Sequence, residues 1–126
     1  MTPEKPIDTA STLIELDTPG FETARAESGR LLLVEYFAEH CVWCERIEPV
    51  LAAAEAGYRN YVRMVKVNSR LNPEALPEGG LRGTPTVALY RNGKLLMMKN
   101  GMMQRAQLKS FLDHWLDPAN EGLSGS

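Results

Sequence analysis

An apolar run, Leu31-Leu32-Leu33-Val34-Glu35-Tyr36-Phe37, leads within four residues to Cys41-Val42-Trp43-Cys44. A strand with so little polar surface has no face to offer water, so it belongs inside a sheet covered on both sides. After the cysteines, apolar residues recur at Cys44, Ile47, Leu51, Ala54 and Tyr58. Spacings of three and four mark one face of a helix. Pro49 lies inside that pattern, where it removes a backbone donor and bends the helix. The chain thus passes from a central strand straight into a helix. Its only two cysteines sit at the junction, three positions apart, the spacing and setting of a redox dithiol.

The rest of the chain completes a sheet around that unit. Residues 1–10 read as a flexible leader and 11–16 as a short first strand. Asp17-Thr18-Pro19-Gly20 is capping chemistry for a helix at about 19–28, with Phe21 and Ala24 inward. Residues 61–68 form a strand with Val65 and Val67 on one face and Val62, Met64 and Lys66 on the other. Segment 69–83 carries Pro73, Pro77 and Gly79-Gly80 and admits at most one short helix near 73–76. Strands at 86–90 and 94–99 join through Asn92-Gly93, a strong hairpin signal. Leu108, Phe111, Leu112 and Trp115 mark a last helix at about 104–116, stopped by Pro118. This order predicts one α/β domain over 11–118, with a mixed sheet, helices on both faces and a disordered tail at 119–126.

Length and charge remove several classes of function. The 126 residues suit one core, and a formal net charge of -2 with scattered Lys and Arg argues against a nucleic-acid groove. No apolar run approaches the roughly 20 residues of a membrane span. Residues 1–8 lack the charged-then-apolar pattern of a secretory signal. The expectation is a cytoplasmic monomer on the chain as given, or a periplasmic one if a signal has been removed.

Cys41 at a helix N-terminus meets unpaired backbone N–H groups and the positive end of the macrodipole, which favour the thiolate. Cys44 lies one turn further in, placed to close a disulfide. By itself Cys44 would read as a small buried core residue. Zinc is the competing use of the motif, but His40 and His114 are the only imidazoles available to complete four ligands, and His40 is adjacent to Cys41. No metal or cofactor is expected. Glu35 shares parity with Leu31, Leu33 and Phe37, which sets a carboxylate on an apolar face. If buried it needs a partner, for which Lys66 is the candidate, or it must hold a proton. Near Cys44 it would serve as a general base; at a solvated strand end it would do nothing. Pro85 falls at a strand start, the place where a sheet tolerates proline. Trp43 is expected to be exposed as part of a docking surface. His40 would add positive charge beside Cys41 and favour its thiolate, or would simply be an exposed side chain.

The segments Val34–Cys44, Pro49, Gly80-Leu81-Arg82-Gly83-Thr84-Pro85-Thr86, Arg91-Asn92-Gly93-Lys94 and Gly101 together resemble the thioredoxin superfamily over roughly residues 12–116. The resemblance implies a five-stranded mixed sheet flanked by four helices. It implies Cys41 as nucleophile, Cys44 as resolving cysteine and Glu35 with Lys66 as the buried acid–lysine pair. It also implies that Pro85 is a cis-proline beside the disulfide, and that Thr84 and Gly101 line the substrate groove. Val42-Trp43 between the cysteines, His40 before them and Thr84 before the proline depart from thioredoxin's own pattern; Thr84 resembles periplasmic isomerase-like members, Trp43 those and glutaredoxins, and Glu35 with Lys66 the pair of periplasmic oxidants. The function expected is disulfide exchange with protein disulfide or dithiol substrates and a redox-partner protein, chiefly as a reductase. An oxidase or isomerase role, a peptide-binding module and a Cu(I) carrier are the alternatives.

Overall fold

The protein's structure, a computed structural model, describes residues 13–27 and 29–120. The expected leader, most of the tail, the start of the first strand and Ser28 lie outside these residues. Five strands pair in the order β1-β3-β2-β4-β5. They are β1 (Ile14–Glu15), β2 (Leu31–Phe37), β3 (Val62–Asn68), β4 (Thr86–Arg91) and β5 (Lys94–Asn100). β2 runs parallel to β3 and antiparallel to β4, so it is the middle strand, as its apolar composition requires. The β4–β5 turn uses Asn92 at φ 51° and Gly93 at φ 85°, the left-handed pair a two-residue hairpin turn needs.

Among the described residues three α-helices cover the sheet: α1 (Thr18–Ala26), α2 (Val42–Tyr58) and α3 (Arg105–Leu116). The resemblance implies a fourth, but Pro73–Ala75 makes only a single 3-10 turn. Proline at its first position and another at Pro77 leave too few residues between them for an α-helix. Alternating side chains divide the core into two layers. Leu31, Leu33, Val62, Met64, Val87 and Leu89 face Ile47 and Leu51 of α2 and Leu108 and Leu112 of α3. Leu32, Val34, Tyr36, Val65, Val67 and Tyr90 face Phe21 and Ala24 of α1. The strand parities expected for β2 and β3 are those observed.

The α1 layer closes on a buried phenol pair. The Tyr36 hydroxyl donates to the Ala75 carbonyl at 2.7 Å and lies 2.8 Å from the Tyr90 hydroxyl. Having one proton, Tyr36 accepts from Tyr90 while it donates to Ala75. Tyr36→Phe leaves a buried carbonyl and a buried hydroxyl unpaired, so roughly 1–3 kcal/mol of stability should be lost. Urea unfolding checks this; an unchanged midpoint would show that the pair contributes nothing.

Candidate active site

β2 delivers the chain to the site and α2 carries it away. Between them His40 adopts a left-handed backbone, φ 58°, and its exposed side chain makes no hydrogen bond or ion pair with another described residue. The turn leaves Cys41 as the N-cap of α2, its Sγ accepting from the Cys44 N–H at 3.2 Å. A helix otherwise begins with unpaired N–H donors, and here a sulfur takes one of them. Any negative charge developing on that sulfur meets both a donor and the helix dipole. Cys41 and Cys44 are joined as a disulfide, with their Cα atoms 5.2 Å apart. Cys41 is partly exposed, whereas Cys44 is 2% exposed, so an incoming molecule reaches the first sulfur and not the second.

The β4 side supplies the opposite wall. Because β4 is antiparallel to β2, with Thr86 opposite Tyr36, the start of β4 lies beside the exit of β2. The Thr84-Pro85 peptide there is cis. The Thr84 hydroxyl lies 3.6 Å from Cys41 Sγ and its carbonyl oxygen 3.7 Å away. Gly101, at φ 94°, donates its N–H to the Pro85 carbonyl at 2.8 Å, which ties the end of β5 to the same wall. Its left-handed backbone is one that glycine adopts without strain. Met103 is buried in the core while Met102 is only partly buried beside Gly101. Val42 and Trp43 are 55% and 53% exposed, and Arg46 stacks over the Trp43 ring at 5.1 Å.

Beneath α2 lies the acidic part of the site. Glu35 is completely buried, which removes the solvated-strand-end reading. Register sets it opposite Lys66 on β3, but the expected ion pair is not formed. Lys66 Nζ instead binds Glu48 Oε1 at 3.1 Å, and neither Glu35 oxygen has a hydrogen-bond partner among the described residues. Burial, and then the neighbouring Glu48 carboxylate, push the Glu35 carboxyl up to about 9, with Lys66 acting in the opposite sense. Glu48 is near enough to act as a charge and as a hydrogen-bonding neighbour, although no properly formed bond joins the two carboxyls. In this disulfide form, a carboxyl so placed is protonated at neutral pH.

Cys41, Thr84, Pro85 and Gly101, far apart in sequence, therefore share one surface, and Trp43 stands exposed on the first turn of α2. Glu35 and Lys66 sit in the layer below. The residue the sequence reading missed is Glu48. Its signal was present: it lies four residues after Cys44 and three before Leu51, on the helix face that turns inward. Among the described residues no helix is long and apolar enough to cross a membrane.

The chain matches the thioredoxin family model over residues 12–114. Thioredoxin of Acidithiobacillus ferridurans is 35% identical over 107 residues, covering 85% of this chain and 99% of that protein. Thioredoxin of Pseudomonas aeruginosa is 32% identical over 101 residues, 80% of this chain and 94% of its own length. Protein disulfide-isomerase A3 of Gallus gallus is 33% identical over 115 residues, 91% of this chain but 23% of that protein.

Proposed function

The chain belongs to the thioredoxin family and is a thiol–disulfide oxidoreductase, and on that premise we propose that it acts as a reductase of protein disulfides. The Cys41 thiolate attacks one sulfur of a substrate disulfide, and the other substrate sulfur leaves as a thiolate. The Cys44 thiol then gives its proton to Glu35, and its sulfur attacks Cys41 to release the second substrate thiolate. Two electrons pass from the dithiol to the substrate, and the product is the disulfide form. Lys66 acts on Glu35 through its charge. The substrate peptide lies along Thr84, Pro85 and Gly101, with Trp43 at the edge of the groove. His40, the residue before Cys41, acts on the thiolate through space rather than by contact.

The observation that carries this reading is Cys41 as the N-cap of α2, with a backbone donor on its sulfur and Cys44 closed off beneath. Near-complete coverage of the relatives named thioredoxin favours the reducing direction over the isomerase, of which only a fraction is matched. A reductase needs an electron-donor protein, and on this reading the protein works in the reducing cytoplasm. The dithiol form is expected to reduce insulin disulfides. Equilibration with glutathione should give a potential near the roughly -270 mV of thioredoxin. A value near the about -120 mV of a strong periplasmic oxidant would reverse the direction.

A further inference from the structure

Glu48 has no role in the exchange steps as written, yet it takes the cation that the sheet sets opposite Glu35. Lys66 and Glu48 are both mostly buried, with side chains 17% and 14% exposed, so the pair is not a solvated surface contact. Glu48 lies one turn beyond Cys44 on α2, and residues four apart on a helix are neighbours on one face. The titratable groups that act on Glu35 come from two elements: Glu48 on α2 and Lys66 on β3. From β4 the register partner is Val87, which carries no charge.

We propose that Glu48 is a positioning residue for the exchange reaction: by taking the Lys66 ammonium it withholds that cation from Glu35, which is left to hold the proton that Cys44 gives up and takes back. The inference rests on Glu35 being the proton acceptor for Cys44. When the disulfide closes, the Cys44 thiol proton moves to the Glu35 carboxylate and the sulfur–sulfur bond forms. When a donor thiolate later opens the disulfide, Cys44 leaves with the electron pair and recovers that proton. Were Lys66 paired with Glu35, its positive charge would hold the carboxylate ionised and make it a poorer store of the proton. Glu48, partly open to solvent, carries a negative charge that works in the other direction.

The test is a carbon-13 NMR titration of the Glu35 carboxyl in the oxidised protein, alongside the pH profile of disulfide closure from a Cys41 mixed disulfide. In Glu48→Gln and Glu48→Ala, Lys66 is freed and a like charge removed, so the Glu35 midpoint should fall by at least one pH unit. The inflection of the closure rate should fall with it. Glu48→Asp keeps the charge and should restore the wild-type midpoint to within a few tenths. Variants that titrate like wild type would overturn the proposal, even if they are less stable. So would a Glu48→Asp protein that behaves like Glu48→Gln. Failure of the wild-type dithiol to reduce insulin would strike the reductase reading instead, while the titration still decides the role of Glu48 independently.

Discussion

Cys41→Ser protein is expected to reduce insulin at a rate lower than wild type by roughly a thousand-fold or more, because the attacking atom must be a thiolate. A serine hydroxyl at the N-cap would keep the backbone hydrogen bond and the fold, since serine is itself a favoured cap. What it cannot do is ionise near neutral pH and form a bond to a substrate sulfur. Cys44 offers no substitute, being 2% exposed beneath the first turn of α2. Cys44→Ser should behave differently: Cys41 still attacks, but the mixed disulfide is not resolved and accumulates as a covalent complex. Insulin precipitation and mass spectrometry of trapped adducts read the two outcomes. Insulin reduction by Cys41→Ser at the wild-type rate would show that Cys41 is not the attacking atom and would overturn the mechanism.

Glu35→Leu is expected to make the oxidised protein more stable, increasingly so as pH rises. The Glu35 carboxyl is raised from its ordinary 4.5 to about 9 by burial and by Glu48. Between those values the folded protein retains a proton that the unfolded chain has released, so folding stability falls as pH increases. The contribution is fully present below about 4.5 and is lost progressively until the pH passes about 9. One proton corresponds to about 1.4 kcal/mol per pH unit, so the penalty at pH 7 is about 3 kcal/mol. Leucine has neither a charge to desolvate nor an unpaired oxygen, and it joins an apolar layer already built from Leu31 and Leu33. Urea midpoints at pH 5, 7 and 9 should diverge between the two proteins, with the variant lacking this decline. Parallel curves would show that Glu35 ionises normally. The same variant should close its disulfide more slowly, so stability and turnover move in opposite directions.

The second result follows from where the protein sets aside its own packing rules. A seven-residue central strand carries one carboxylate, completely buried and without a hydrogen bond to any described residue. Such a group is retained at a cost in stability, which the proposed role of Glu35 in the exchange reaction would offset.

Much of this was legible in the sequence because it rests on local periodicity. The run Leu31–Phe37 could only be a covered central strand, and the three- and four-residue spacing after Cys44 could only be a helix packed on it. Those two facts put Cys41 at a helix N-terminus, where the chemistry of its sulfur follows from orphan backbone donors. Parity on β2 placed Glu35 inward. Asn92-Gly93 fixed the hairpin, because the turn requires two left-handed residues.

Contacts between elements were decided elsewhere. The expected fourth helix is a single 3-10 turn, since proline signals mark a break without giving the length of what lies between. The start of β4 meets Cys41 only because β4 runs antiparallel to β2, an arrangement no local pattern encodes. Lys66, the expected partner, does lie opposite Glu35 in the strand register, yet its ammonium goes to Glu48. Register fixes backbone neighbours, whereas a long flexible side chain chooses among every carboxylate within reach. That choice depends on how α2 lies over the sheet. The sequence by itself determined the reaction class, through two cysteines at a strand-to-helix junction. The pairing of Lys66 with Glu48 is a product of tertiary structure, because only the packed helix brings a second carboxylate to the lysine.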